Sequence, residues 1–334
     1  RQPSPKAGNA SRRTRLRAGI LRRVSWMKHA RTGALLLLVG VTVYGVYAFL
    51  TGDPMAAAEF WHDKMGIIPL VFLLACVDVA LEATGWMWVY ERLGIKALDS
   101  GGVTAYLSGR AGLLLPAQLG RLIRPDAMLR LKRGGLRHCL KAEAVAFVLD
   151  STSVAALLAA LLAYQFYPLM APIAALAVIA VSLFLGDQIA DRLTGTKLEL
   201  PAAFWWRWKT LAIIAIEMAG WVAHGAAFYL VIKGLPGNAN LWDALFYAPA
   251  SSVLGVATGL PGGIGATEGL LGASLRLMKI PSEYLVLAVG AFRLITFWFW
   301  LPIGWIALAV LKRRAALVEG EEFPPGLGEG ATHE

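Results

Sequence analysis

Charged side chains set inside long apolar runs are the residues of this sequence that could do chemistry. Arg293 stands in a run otherwise built of Leu, Val, Ala, Phe and Trp, and Glu268 follows a Pro-Gly-Gly break in another. Asp78 with Glu82, Glu143 with Asp150, and Glu217 with His224 lie in three further runs, while Arg110, Arg121 and Arg124 flank an interruption at Pro116. An ionised group in hydrocarbon is expensive unless it is paired or hydrated, so such residues face a partner or a wet cavity.

Each group has a functional reading and a structural one. Arg110, Arg121 and Arg124 could receive a phosphate, which guanidinium binds through a two-pronged fork, or could orient a loop against lipid head groups. Glu268 could bind a cation or a proton, or serve as a carboxylate favoured by the dipole at a helix start, with Thr267 capping the same turn. Arg293 could contact phosphate or pair with Glu268, Glu217 or Asp150. Asp78 and Glu82 are spaced i, i+4 and share one helix face, where they could repel or bond to neighbouring helices. Glu217 and His224 lie two turns apart on one face, as do Glu143 and Asp150; proton relay and buried satisfied polar contacts both fit. The two cysteines, Cys76 and Cys139, sit at different levels and predict no disulfide. Cys/His metal spacing and a Gly-rich loop ending in Lys-Ser/Thr are both lacking, so neither a metal nor a nucleotide cofactor is expected.

The elements that must position these residues are membrane helices. The chain is 57% hydrophobic and 16% charged, with a mean hydropathy of +0.58, against about a quarter charged in soluble domains. Full spans are predicted at about 33–50, 66–90, 142–166, 169–186, 210–232 and 284–311, each close to the length a bilayer needs. The formal charge is +10. The Lys and Arg lie between the apolar runs, where they set orientation and meet anionic lipid, and no nucleic-acid partner is expected. The basic segments 1–32, 91–141 and 312–314 fall on one side, which predicts cytoplasmic N- and C-termini. Residues 1–32 form a basic tail, either disordered or an interfacial amphipathic helix, and do not read as a signal peptide. Trp205, Trp206 and Trp208 read as an interfacial belt.

Two apolar segments are interrupted in the same way. Leu115-Pro116-Ala117-Gln118-Leu119-Gly120 and Leu260-Pro261-Gly262-Gly263-Ile264-Gly265 both contain Leu-Pro-x-x-x-Gly. Proline ends a helix and glycine permits an unusual turn. Pro116 follows Gly66 at the separation at which Pro261 follows Leu211, and the spans concerned should run in opposite directions. The pattern predicts an inverted repeat with two broken, re-entrant segments, a pointer to a transporter site near the midplane.

Gly259-Leu260-Pro261-Gly262-Gly263-Ile264-Gly265-Ala266-Thr267-Glu268-Gly269 resembles the signature of the lysylphosphatidylglycerol synthase transmembrane region, the flippase-like domain family. Arg110 to Arg130 resembles that family's first broken segment, and Glu283 to Pro302 its closing helix. The likeness covers residues 33–312. It implies a multispan domain that moves lipids between leaflets of a prokaryotic plasma membrane, with aminoacylated phosphatidylglycerols, phospholipids or polyprenyl phosphates as cargo classes. Related proteins often carry an acidic residue where this chain has Arg121, which questions the site's charge balance. Full synthases also carry a soluble aminoacyl-transferase domain; only residues 315–334 follow the basic stop here, so synthesis by this chain is not expected.

The sequence therefore predicts an all-α polytopic bundle with a basic tail (1–32), a flippase-like transmembrane domain (33–314) and a polar C-terminal tail (315–334). It is expected to be a non-enzymatic lipid transporter, with anionic membrane lipids as ligands and a separate lipid-modifying enzyme or a second copy as conceivable partners. The competing readings are a membrane transferase using Glu268, Asp150 or Glu143, and a scaffold that docks an enzyme through the basic tail.

Overall fold

The computed structural model describes residues 54–195, 197 and 200–320, and these are helical throughout, with no strand among them. The expected span at 33–50, the basic tail 1–32 and, of the polar tail expected at 315–334, residues 321–334 lie outside the described residues. Eleven helices are used here: α1 (Pro54–Lys64), α2 (Ile68–Arg92), α3 (Ser100–Ser108), α4 (Ile123–Arg130), α5 (Leu136–Phe166), α6 (Met170–Thr194), α7 (Trp208–Ile232), α8 (Leu241–Ala257), α9 (Ala266–Leu277), α10 (Ser282–Arg293) and α11 (Trp300–Gly320). Five segments are long and apolar enough to cross a membrane: α2, α5, α6, α7 and the stretch Ser282–Leu317.

The apolar spacing explains how these helices stack. On α2, Val71, Ala75, Val79, Ala83, Trp86 and Tyr90 are buried at three- and four-residue intervals, while Leu70, Leu73 and Val77 point outward. In lipid an outward leucine needs no cover, so burial inside the protein marks helix–helix contact. By that measure α5 is central and α6 peripheral. Helix α2 packs along α7, α5 along α6, and α7 also meets α5 and α8.

Three boundaries differ from the sequence reading. Helix α5 starts at Leu136, so the basic turn with Arg137 and Lys141 is helical. Helix α6 continues to Thr194 and ends at Gly195 in the left-handed conformation, so Asp187, Asp191 and Arg192 lie on it. The final span is not one α-helix: a π-helical turn, Leu294–Trp298, directly follows Arg293 and separates α10 from α11, which runs past residue 314 to Gly320. Such turns insert an extra residue per turn and cluster at functional sites. The tryptophan belt is also corrected. Trp206 and Trp208 are exposed, but Trp205 is buried: its ring lies against Gly186 and its Nε1 donates to Asp187 Oδ1 at 2.8 Å.

Both interruptions occur where the Pro and Gly residues predict them. In the first, α3 gives way to the 3-10 segments Gly109–Gly112 and Pro116–Leu122 before α4. In the second, α8 gives way to Pro261–Gly263 before α9. The order long helix, short helix, break, short helix is thus shared by α2–α4 and α7–α9. The first break folds back on itself because Gly112 and Gly120 carry no side chain: a Cβ on Gly112 would lie 2.4 Å from the Gly120 Cα. The second uses Gly262 (φ +58°) and Gly265 (φ +85°), conformations that residues with a Cβ rarely adopt. The two breaks touch, since a Cβ on Gly262 would lie 3.0 Å from the Leu113 carbonyl oxygen.

Candidate functional site

Four long side chains stand on one stripe of α2 at four-residue intervals: Asp78, Glu82, Trp86 and Tyr90. Helix periodicity puts them on a single face, and that face meets the first break, α5 and α7. Glu82 Oε2 accepts from Arg110 Nη2 at 2.5 Å, and its Oε1 accepts from Arg124 Nη2 at 3.1 Å. Arg110 Nη2 also donates to the Tyr106 hydroxyl at 2.7 Å, and the Arg124 guanidinium lies 4.3 Å from the Tyr106 ring centre. One carboxylate is therefore gripped by two guanidinium groups from the broken segment.

Helix α5 supplies the remaining carboxylates. Glu143 Oε2 accepts from Trp86 Nε1 at 2.8 Å and from the Tyr90 hydroxyl at 3.1 Å, with its Oε1 at 3.7 Å from Arg124 Nη1. Two turns later, Asp150 accepts from Arg121 and, through Oδ1, from Trp221 Nε1 at 3.2 Å. The Arg121 guanidinium also stacks over Phe147 at 5.0 Å. Three arginines from the break thus meet three carboxylates from two long helices. Arg124 is only 5% exposed, so these pairs are shielded and strong in the Coulomb sense, though offset by desolvation.

On α7, Glu217 and His224 separate in role. His224 Nδ1 is 3.1 Å from Asp78 Oδ2 and its Nε2 is 3.2 Å from Ser252 Oγ. Asp78 and Glu82 therefore do not contend for one partner: each has its own. Glu217 is 3% exposed and its Oε2 has no hydrogen-bond partner; it is accommodated where Gly85 leaves α2 bare, since a Cβ there would lie 2.6 Å from Glu217 Oε1.

A second cluster forms at the second break. Arg293 Nε donates to Glu268 Oε1 at 2.6 Å, and the Arg293 guanidinium lies 4.1 Å from the Phe297 ring centre. The other Glu268 oxygen accepts from the Gly265 N–H at 2.7 Å. Of the partners expected for Arg293, the structure selects Glu268, not Glu217 or Asp150. It also moves the cap. Gly265 precedes α9, and Thr267 lies inside the first turn, buried against Gly255 and Gly263. The five residues expected at one head-group site thus divide into two charge clusters, Arg110/Arg121/Arg124 and Arg293/Glu268, brought near each other by the contact between the breaks. The broken-helix residues Pro116, Gly120, Pro261 and Gly263 build the turns that carry them. Among the described residues no group of His, Cys, Asp or Glu is arranged to hold a metal, and both cysteines are free thiols.

The sequence model of the lysylphosphatidylglycerol synthase TM region matches residues 31–304. The chain belongs to that family. No curated protein matches the chain. Membership makes it a multi-pass membrane protein of lipid-related function, and the matched range contains both breaks and both charge clusters described above. The Arg121 departure is balanced locally, because Arg121 has Asp150 as counter-charge.

The sequence reading missed Tyr106, Trp86, Tyr90, Trp221 and Ser252 as members of the site. The four-residue stripe on α2 was the available signal: a polar-tipped aromatic in line with two acids in a membrane helix has to find a hydrogen-bond partner. Tyr106 and Ser252 lie on short helices whose facing direction no spacing discloses.

Proposed function

We propose that this chain is a flippase-like transporter that moves an anionic or head-group-modified lipid between leaflets. The carrying observation is the convergence of Arg110, Arg121 and Arg124, from one helix break, on Glu82, Glu143 and Asp150 inside an apolar bundle. A static scaffold gains little from this, because apolar packing stabilises as well as buried ion pairs do. A transporter of phosphate-bearing lipids needs cations at depth and counter-charges to hold them between cargoes. In this reading the two broken segments enter from opposite faces, the acyl or prenyl chains stay in lipid, and the two halves rock about the breaks. The protein sits in a prokaryotic plasma membrane with both termini cytoplasmic, and a separate lipid-modifying enzyme supplies its cargo.

The test is a leaflet-resolved assay in proteoliposomes with fluorescent phosphatidylglycerol, lysyl-phosphatidylglycerol and a short polyprenyl phosphate. Wild type should move at least one of them. Arg121→Ala and Arg124→Ala, verified as monodisperse and helical, should lose that movement. Wild-type protein that moves none of the three, or variants that match wild type, would overturn the reading.

A further inference from the structure

Glu82 is held in an unusual way for a carboxylate between two arginines. A guanidinium offers its side-on edge, Nε with Nη2, as a two-pronged fork for an oxyanion. Arg110 and Arg124 each reach Glu82 through Nη2 alone, the atom that shares this edge with Nε. The Nε atoms of both are buried and have no hydrogen-bond partner. Two buried donors are thus left over on the two guanidiniums that Glu82 bridges, although its oxygens have lone pairs to spare; the placement of the planar carboxylate, not its acceptor number, leaves them unpaired. Buried donors left unpaired are uncommon and mark a missing acceptor. A phosphate spreads its oxygens tetrahedrally, two anionic and two ester oxygens on a diester and three anionic oxygens on a monoester, where a carboxylate holds its two in one plane.

We propose that Glu82 is an internal occupant of a phosphate site. The site consists of the Nε–Nη2 edges of Arg110 and Arg124 and the Tyr106 hydroxyl, and the phosphate of the cargo displaces the Glu82 carboxylate from it. Side-chain exposure fits this exchange: Glu82 is 24% exposed, Arg110 13% and Arg124 6%. The carboxylate is the outermost member and the guanidiniums form the floor, so the carboxylate can leave while the arginines stay. The floor is fixed by further contacts. Arg110 is anchored on Tyr106, Arg124 stacks on the same ring and faces Glu143, and Gly304 of α11 presses on the backbone of Arg110 and Ala111. Glu82 thereby has two effects. It shares with Glu143 the counter-charge of two buried cations, and it sets a threshold that only a ligand with a better oxyanion passes. The inference rests on the transport reading above and specifies its ligand as a phosphate group, with Glu82 as the competitor.

The consequence has a sign that a purely structural salt bridge would not share. Removing the charge of Glu82 should strengthen phosphate binding. Purified full-length chain in maltoside micelles, which contain no phosphate, would be titrated with dioctanoyl phosphatidylglycerol, inorganic phosphate and dioctanoylglycerol. Glu82→Gln is expected to bind the phosphatidylglycerol about ten-fold more tightly than wild type, with dioctanoylglycerol unchanged. Tighter binding of inorganic phosphate as well would place the recognition in the phosphate alone; tightening confined to the lipid would place part of it in the glycerol or chains. Both results support the site. Because loss of a carboxylate from two guanidiniums can itself unfold the bundle, Glu82→Asp is measured in parallel. It keeps the charge but draws it back by one methylene, and it should also bind more tightly than wild type. Arg124→Lys in the Glu82→Gln background should cancel the gain, since an ammonium has no fork. Unchanged or weaker binding by both Glu82 variants would overturn the inference. If wild type still moved lipid in proteoliposomes, the transport reading would survive that result; if no lipid moved, both would fall.

Discussion

Arg293 Nε lies 2.6 Å from Glu268 Oε1, and this contact ties the end of α10 to the first turn of α9 across the second break. It is made where the backbone is least regular. Glu268 also holds the Gly265 N–H, and a π-helical turn begins immediately after Arg293. The pair fixes two irregular stretches against each other, at the junction where α10 passes into the π turn.

Breaking this pair should therefore cost more than a surface ion pair. Arg293 is 7% exposed, and removing one member of a buried pair leaves the other uncompensated, at about 3–5 kcal/mol. Arg293→Met and Glu268→Gln should each lower the thermal midpoint in detergent markedly. Arg293→Met combined with Glu268→Gln should recover much of the loss. Additive losses in the double variant would show that the two residues do not act as a pair.

The hydrogen bonds under Glu143 should be measurable one at a time. Trp86 Nε1 and the Tyr90 hydroxyl both donate to its Oε2. Bonds to a charged group contribute about 1.5–3 kcal/mol. Trp86→Phe and Tyr90→Phe are each expected to destabilise the protein by an amount in that range. In a Glu143→Gln background both effects should shrink. Equal effects in the two backgrounds would point to ring packing for Trp86, and for Tyr90 to packing or to its second acceptor, the Cys139 carbonyl oxygen at 3.1 Å.

Acid should loosen the loop between α2 and α3. The Arg133 guanidinium beside Asp99, aided by the N–H groups of Gly101 and Gly102, holds the Asp99 carboxyl at about 2. A depressed carboxyl contributes stability that is complete above its unfolded value of about 3.9 and is lost as pH falls through the folded value. Protection of amides in 97–104 against hydrogen exchange should hold at neutral pH and fall from about pH 4 toward pH 2. Asp99→Ala should lose about 1 kcal/mol as a missing helix cap and should flatten this acid dependence. An unchanged profile in Asp99→Ala would assign the acid response to other groups.

Glycine substitutions should discriminate contact from propensity. A Cβ on Gly304 would lie 2.2 Å from the Ala111 backbone nitrogen, whereas a Cβ on Gly272 meets nothing within 4 Å. Gly304→Ala forces α11 away from the first break and should destabilise by about 1–3 kcal/mol. Gly272→Ala, inside α9, should stabilise by roughly 0.5–1 kcal/mol. A tolerated Gly304→Ala would show that α11 does not seat on the break as described.

Much of this protein was legible in the sequence, and the reason is the solvent. Lipid obliges a chain to satisfy its own backbone hydrogen bonds, so apolar runs of span length become helices with little dependence on context. The breaks were nearly as local: Pro116, Pro261 and the glycines around them mark the irregular stretches, though the helices before them already end at Ser108 and Ala257. That charged residues inside these runs seek partners also followed from composition and the cost of a bare charge, and it holds for Asp78, Glu82, Glu143, Asp150, Glu268 and Arg293, though not for both oxygens of Glu217. The choice of partners did not follow. Arg293 had three acids within plausible reach and took Glu268, and Arg121 took Asp150. Asp78 and Glu82, neighbours on one face, were divided between His224 and two arginines. Those choices depend on how far each helix is rotated and shifted along its neighbours. Close-packed side chains and bare glycines such as Gly85, Gly112 and Gly304 set that register over long separations in the chain, and no spacing within a single segment contains it.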